Sequence, residues 1–229
     1  MTLSTRALGL FCGLLCAGMG SALSVQAQDV HHPLDHRVPP GVAGRWSALT
    51  RTSAFGAVQP VQFHLPGDGM VTFYLGSPQH GVPVNAPAQA GLSVGFTYRV
   101  RISDLPEFPG VEIYPTVELL DRLHPPAGLA QEFPIPIQIT EADIQTVLQD
   151  QMVTKVIYVE QPDLAAPIDQ DQPAGYSRIE TLPPAVNLLQ AADLRGRPMA
   201  IVRIGGRIPD PRAPGDEFYS QSPVQLLQK

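Results

Sequence analysis

Three histidines and an aspartate fall within six residues near the start of the chain, His31, His32 and His36 with Asp35. Imidazole nitrogens beside a carboxylate suit zinc or copper, and a flexible segment could wrap such an ion. The surrounding run QDVHHPLDHRVPPGVAG offers nothing to hold the rings rigid, so the pattern predicts at most weak metal binding, and a solvated leader whose histidines hold nothing is the preferred reading. A second group, Asp121, Arg122 and His124, closes a strand-like run whose polar face carries Glu112, Tyr114 and Glu118. These residues could form a polar pocket with a perturbed histidine, the least that a hydrolase would need. The preferred reading is again structural, with Arg122 paired to Asp121 or a nearby acid and His124 fixing the turn before Pro125. A third pattern, Gly91-Leu92-Ser93-Val94-Gly95, fits G-x-S-x-G. A nucleophile elbow must follow a buried strand and open a helix, whereas this one follows a proline-rich run and enters a strand. No catalytic or cofactor-binding residue is assigned.

The elements that must position these residues belong to an exported chain. Arg6, the apolar run from Ala7 to Met19 and the small residues ending Val25-Gln26-Ala27 read as a secretory signal peptide, residues 1–27, cut before Gln28. The apolar run is shorter than the roughly 20 residues of a membrane span, and Leu15 before Cys16 argues against a lipidated cysteine. Both cysteines, Cys12 and Cys16, lie in the segment to be removed. The mature chain then has no thiol, which excludes a disulfide framework, thiolate metal sites and cysteine nucleophiles. The net charge of −6 argues against nucleic acid. With 25 prolines and 20 glycines among 229 residues and only 16% charged residues, extended segments and turns are expected rather than a helical bundle.

Along the chain, residues 28–44 are predicted to be a flexible His/Pro-rich leader, and Arg45 to Ser53, around the single tryptophan Trp46, a first strand or an anchoring turn. Val61, Phe63 and Leu65 alternate with polar residues and Met70 to Leu75 resumes after Pro66-Gly67-Asp68-Gly69, a pattern that predicts a hairpin. Residues 76–91 are predicted to be a long loop. Val94, Phe96, Tyr98, Val100 and Ile102 alternate with residues that include Arg99 and Arg101, so one face is expected in the core and the other in water. Pro115 within the next run predicts a sheet edge or bulge, and Pro134 and Pro136 among Phe133, Ile135, Ile137 and Ile139 predict an edge strand. Thr140-Glu141-Ala142-Asp143 reads as a capping box opening one short helix, Glu141 to Gln149, and Val153 to Glu160 as another strand. Tyr176 to Leu182 is a further strand candidate, Arg195 to Pro198 a turn, and Met199 to Ile204, apolar on both faces, an interior strand.

The strings EIYPTVELLDRLHPP, FPIPIQITEADIQ, VTKVIYVEQP and RPMAIVRIGGR resemble uncharacterised exported proteins of planctomycete-type bacteria, over about Val94 to Arg207. The resemblance implies an extracytoplasmic protein and supplies no catalytic residue. The expected fold is mainly β, a single antiparallel β-sandwich-like domain over residues 45–208 with one inserted helix and a C-terminal tail, residues 209–229; a helix on one open sheet is the α+β alternative. The expected function is a non-enzymatic, periplasmic or extracellular β module that contacts envelope protein or polysaccharide and does not span the membrane. A metal protein using the leader comes second and a hydrolase third. Tyr74, Tyr98, Tyr114 and Tyr158 are the aromatics that could stack on sugars, though each is expected to be packed.

Overall fold

The structure, a computed structural model, describes residues 34–77, 79–161, 163, 178–210, 212, 215, 218–219 and 224–227. The chain runs α1 (Val42–Thr50), β1 (Val58–His64), β2 (Met70–Tyr74), β3 (Gly81–Asn85), β4 (Ala88–Ser93), β5 (Thr97–Ser103), β6 (Thr116–Leu119), a 3-10 turn (Ala130–Glu132), β7 (Ile135–Gln138), α2 (Glu141–Leu148), β8 (Val153–Glu160), α3 (Leu188–Arg195), β9 (Gly196–Ile204) and β10 (Gln225–Leu226). The strands form two sheets, one of order β10-β4-β1-β7 and one of order β3-β2-β5-β6-β9-β8. All named pairings are antiparallel except β1 with β7. The fold is mainly β and sandwich-like, as expected, but three helices rather than one are found among the described residues.

Alternating side chains explain how the sheets close on each other. β1 sends Val61 and Phe63 inward, β2 sends Val71 and Phe73, and β7 sends Ile135 and Ile137, all buried in one core. The rings of Phe63 and Phe73 meet edge to face, centroids 5.7 Å apart. This arrangement corrects the predicted hairpin, because β1 and β2 belong to different sheets. A hairpin would turn both apolar faces to the same side of one sheet; the turn at 65–69 instead carries the chain across, so that the faces bury each other.

The predicted loop at 76–91 is also corrected, since it contains β3 and the first four residues of β4. Ala88, Ala90 and Leu92 alternate inward as strand residues do. Pro83 sits in β3, an edge strand, where a missing N–H costs least. β7, with Pro136 inside it and Pro134 just before it, likewise lies at an edge, as predicted. Pro115 does not: β6 begins just after it, between β5 and β9. Before the proline only Ile113 bridges to Ile102, and the Pro115 carbonyl accepts the Val100 N–H at 3.1 Å.

Thr140 and Asp143 form the expected reciprocal capping box on α2, whose Ile144 and Val147 face the core. Lys155 of β8 donates to the Gln138 carbonyl at 2.9 Å and pairs with Asp143, which ties the helix start to the larger sheet. The turn expected at Arg195 to Pro198 is the junction of α3 and β9, and α3 is capped by the Asn187 side chain, which accepts the Leu189 N–H at 3.0 Å. Residues 178–182 are irregular, not strand; the first two residues of that predicted strand lie outside the described residues. Met199 to Ile204 is interior as predicted, flanked by β6 and β8.

Both termini of the described chain are built into the domain. Residues 34–44 were expected to form the end of a flexible leader, yet Leu34 and Val38 pack on Ala43, Leu120, Leu189 and Ile201. In the expected tail, Phe218 and Val224 are buried and β10 pairs with β4.

Candidate functional site

His31 and His32 lie outside the described residues. His36 is held against the start of α3, its Nδ1 accepting the Leu188 N–H at 3.1 Å, with Asp35 Oδ1 2.9 Å from the same nitrogen. Burial pushes the His36 pKa below its ordinary 6.5 against the opposing pull of Asp35. Among the described residues no three His, Cys, Asp or Glu side chains converge as a metal site would require. The histidine acts as an anchor between the N-terminal segment and α3. Because its folded pKa lies below the unfolded one, it contributes stability above about pH 6.5 that is lost as pH falls through that value and the lower folded one. Urea unfolding followed across pH should show this loss in the wild type, and His36→Gln should flatten that part of the profile; identical slopes would remove the assignment.

The Asp121 corner is built around a buried carboxylate. Asp121 is buried; its Oδ2 takes Arg51 Nη1 and lies 3.5 Å from Arg197 Nε, while Oδ1 accepts the Arg122 main-chain N–H at 2.8 Å. The expected Arg122–Asp121 ion pair is therefore corrected: Arg122 gives Asp121 its backbone, and the guanidinium partners are Arg51, just past the end of α1, and Arg197 of β9. His124 is exposed, and the following turn is fixed from elsewhere, by Gln59 Oε1 accepting the Leu123 N–H at 2.7 Å. An open cleft of about 120 Å³ lies beside the corner, lined by residues that include Ser47, Thr50, Arg51 and Asp193. Its two hydroxyls donate to main-chain carbonyls, Ser47 to Leu120 at 2.8 Å and Thr50 to Ser47 at 2.9 Å. Neither is set up as a nucleophile, which needs a base to take its proton. Ser93 of the G-x-S-x-G run is a strand residue whose N–H donates to the Tyr98 hydroxyl at 2.8 Å.

The outer face of the six-stranded sheet was expected to carry its arginines to water, and instead it is roofed by the chain ends. Glu118 has 0% exposure and accepts Arg203 Nη1 at 2.8 Å and the Gly44 N–H at 2.6 Å. Arg203 Nη2 then donates to the carbonyls of His36 and Val38, both at 3.2 Å. A Cβ on Gly44 would lie 3.3 Å from Glu118 and 3.4 Å from the Gly95 backbone, so a bare residue lets α1 sit this close. Further along, Arg99 lies 4.2 Å from the Phe218 ring centre and donates to its carbonyl at 2.6 Å. Tyr219 packs against Tyr74 at 4.5 Å, and the Tyr114 hydroxyl donates to Glu112 at 2.7 Å. Burial, then the neighbouring Tyr219, pushes the Tyr74 pKa up to about 12; burial and the Glu112 hydrogen bond push Tyr114 up as well. These tyrosines are packed, as expected, and Tyr98 is buried in the core.

One surface does present aromatic side chains outward. On α1, Ala43 and Gly44 face inward, while Trp46 is 55% exposed and Leu49 72%. Phe55 (51%) and Phe96 (36%) stack on each other with centroids 5.3 Å apart, on the Ala48 side of the helix. Gly95, at φ 88°, is the junction: a Cβ there would lie 2.6 Å from the Phe55 ring and 3.7 Å from Ala48 of α1. Gly95→Ala should therefore lower stability by about 1–3 kcal/mol and loosen the Phe55 packing, read by urea unfolding. These side chains went unrecognised in the sequence because Phe96 continues an alternation that predicts a core residue, and because Arg45 to Ser53, expected to be a first strand or an anchoring turn, is instead the body and end of the helix α1. Two signals point to them: the i, i+3 spacing of Trp46 and Leu49, and the absence of any Asp or Glu from His36 to Gly67 in a chain of net charge −6.

No family model, curated protein or solved structure matches the chain.

Proposed function

We propose that this chain is an extracytoplasmic β module that acts by contact at the cell envelope, not by turnover, and that α1 with the Phe55–Phe96 pair is the contact surface. The observation that carries this reading is that Trp46 and Leu49 stand outward on a helix whose opposite side is fastened to the sheet through Glu118 and Ser47, while the exposed Phe55–Phe96 stack stands outward at Gly95, next to Ala48 of the same helix. A soluble domain gains nothing from such exposure in isolation, and outward apolar side chains of this kind mark interaction surfaces. The readable signal-peptide pattern of residues 1–27 and the likeness to exported proteins support an extracytoplasmic address. Stacking on polysaccharide through Tyr74, Tyr98 or Tyr114 is less favoured, since those rings are buried.

A tagged chain beginning at Gln28 should be retained on an envelope fraction of a producing cell, and Phe55→Ser should release most of it. Retention that ignores Phe55 would reject this surface; absence of retention would reject the contact reading itself.

A further inference from the structure

We propose that β8 is a docking edge for a second copy of this chain, the two strands pairing antiparallel so that the six-stranded sheets of two molecules become continuous. The proposal goes beyond the α1 surface and does not depend on it. The two sheets have four outer strands, and three of them carry a device against further pairing. β3 has Pro83, β7 has Pro136, and β10 is two residues long. β8 has eight residues and no proline. Its one lysine, Lys155, a residue type that guards edges when free, is drawn off to Asp143 and the Gln138 carbonyl. The ladder with β9 shifts register between Ile157 and Tyr158, but the extra residue, Met199, lies in β9, so β8 itself runs unbroken. None of its residues is fully buried and Val159 is exposed, whereas Met199 to Ile204 beside it are all buried.

The neighbouring hydrogen bonds show which main-chain groups of β8 point away from β9. In an antiparallel ladder, residues alternate between facing the partner strand and facing away. The Gln161 N–H donates to the Arg195 carbonyl at 3.1 Å, so Val159 is the next residue to face β9, and Glu160 and Tyr158 turn outward; Pro198, opposite Tyr158, has no N–H to give. Past the register shift, the Leu120 N–H donates to the Met199 carbonyl at 2.9 Å, so Met199 and Ile201 serve β6 while Ala200 and Val202 serve β8. Ile157 and Lys155, opposite those two, face β9, and Val156 and Thr154 turn outward. Thr154, Val156, Tyr158 and Glu160 thus present a row of N–H and C=O groups that no hydrogen bond among the described residues occupies. A second copy fits this row from end to end. Antiparallel pairing centred on Ile157 sets Val156 opposite Tyr158, Thr154 opposite Glu160, Lys155 opposite Val159 and Ile157 opposite its own copy. All four outward residues are then matched, β-branched residues meet an aromatic ring or one another, and no charge faces its like. An edge-to-edge contact of this kind is small, so the dimer is a reversible one.

Sedimentation equilibrium of the chain from Gln28 at rising concentration tests this. The weight-average mass is expected to climb towards twice the monomer value. Val156→Pro removes an outward N–H and leaves the β9 ladder untouched, so this variant, shown folded by circular dichroism, should stay monomeric over the same range. The chain from Gln28 contains no cysteine, which permits an independent reading. Under mild copper-phenanthroline oxidation Ile157→Cys should give a disulfide-linked dimer, because Ile157 faces its own copy, while Val159→Cys, at a more exposed position but opposite Lys155, should give far less. A monomer at every concentration would overturn the proposal. So would a dimer that Val156→Pro leaves unchanged, or equal cross-linking at the two positions. If Val156→Pro does not fold, the wild-type mass and the cross-linking pair decide.

Discussion

Glu118→Ala is expected to lower the unfolding free energy by about 3–5 kcal/mol, measured by urea denaturation followed by far-ultraviolet circular dichroism. The substitution leaves Arg203 in a site where its side chain is 8% exposed, with the carbonyls of His36 and Val38 as its remaining partners. It also strips the Gly44 N–H of its acceptor. The cost comes from stranding a buried charge and not from losing an attraction, so removing both partners should behave differently: Glu118→Leu combined with Arg203→Met should recover most of the stability. The clamp on α1 would nonetheless be gone, and the double variant is a means to separate stability from surface presentation. A loss below about 1 kcal/mol for Glu118→Ala would show the pair to be screened by water, as surface pairs are, and would remove the reason for regarding α1 as fixed.

Phe63→Ala is expected to cost about 3–5 kcal/mol in the same measurement, the range for deleting a large aromatic from a core that cannot fully collapse. Phe63 has no solvent exposure and its ring meets Phe73 from the facing sheet. The value separates the sandwich from the hairpin that the local sequence suggests. In a hairpin the two rings would be neighbours on one face, and the loss would be shared with a partly open surface. A cost near 1 kcal/mol would contradict the crossing of the chain at 65–69.

How much of this could be read from residue order follows from the range of the forces involved. β7 and α2 were legible because their signals are local: prolines that remove ladder donors, and a threonine whose side chain serves the N–H three residues on. β8 was legible as a run dense in β-branched and aromatic residues, Val153 to Glu160. β3 and β4 were not, because Gly81, Pro83, Ala88, Ala90 and Gly91 read individually as turn or spacer residues, and only pairing with β2 and β1 makes them strands. α3 carries no clear stripe, and its existence depends on packing over β8 and β9 together with the Asn187 cap. The choice between hairpin and crossing at 65–69 is decided by what the apolar faces meet, which is a property of the whole domain.

The candidate site divides along the same line. Asp121 was expected to take Arg122 beside it as partner, yet its true partners, Arg51 and Arg197, stand 70 and 76 positions away in the chain and carry no local mark. Likewise the polar face of β5 and β6 reads as open to water until Phe218, Tyr219 and the segment around His36 are laid over it. The outward patch is the converse case. The Trp46 and Leu49 part is visible in order, as an acid-free run with the two residues three apart, but Phe96 turns outward onto Phe55 only because Gly95, at positive φ, breaks the chain out of strand before β5 begins.

The most direct test of contact through α1 is sedimentation of the chain from Gln28 with a native envelope fraction, run side by side for the wild type, Leu49→Gln with Phe55→Ser, and His124→Ala. The account predicts that wild type and His124→Ala pellet together while the double variant, folded and equally stable within about 1 kcal/mol, stays in the supernatant. Equal pelleting of all three would contradict it.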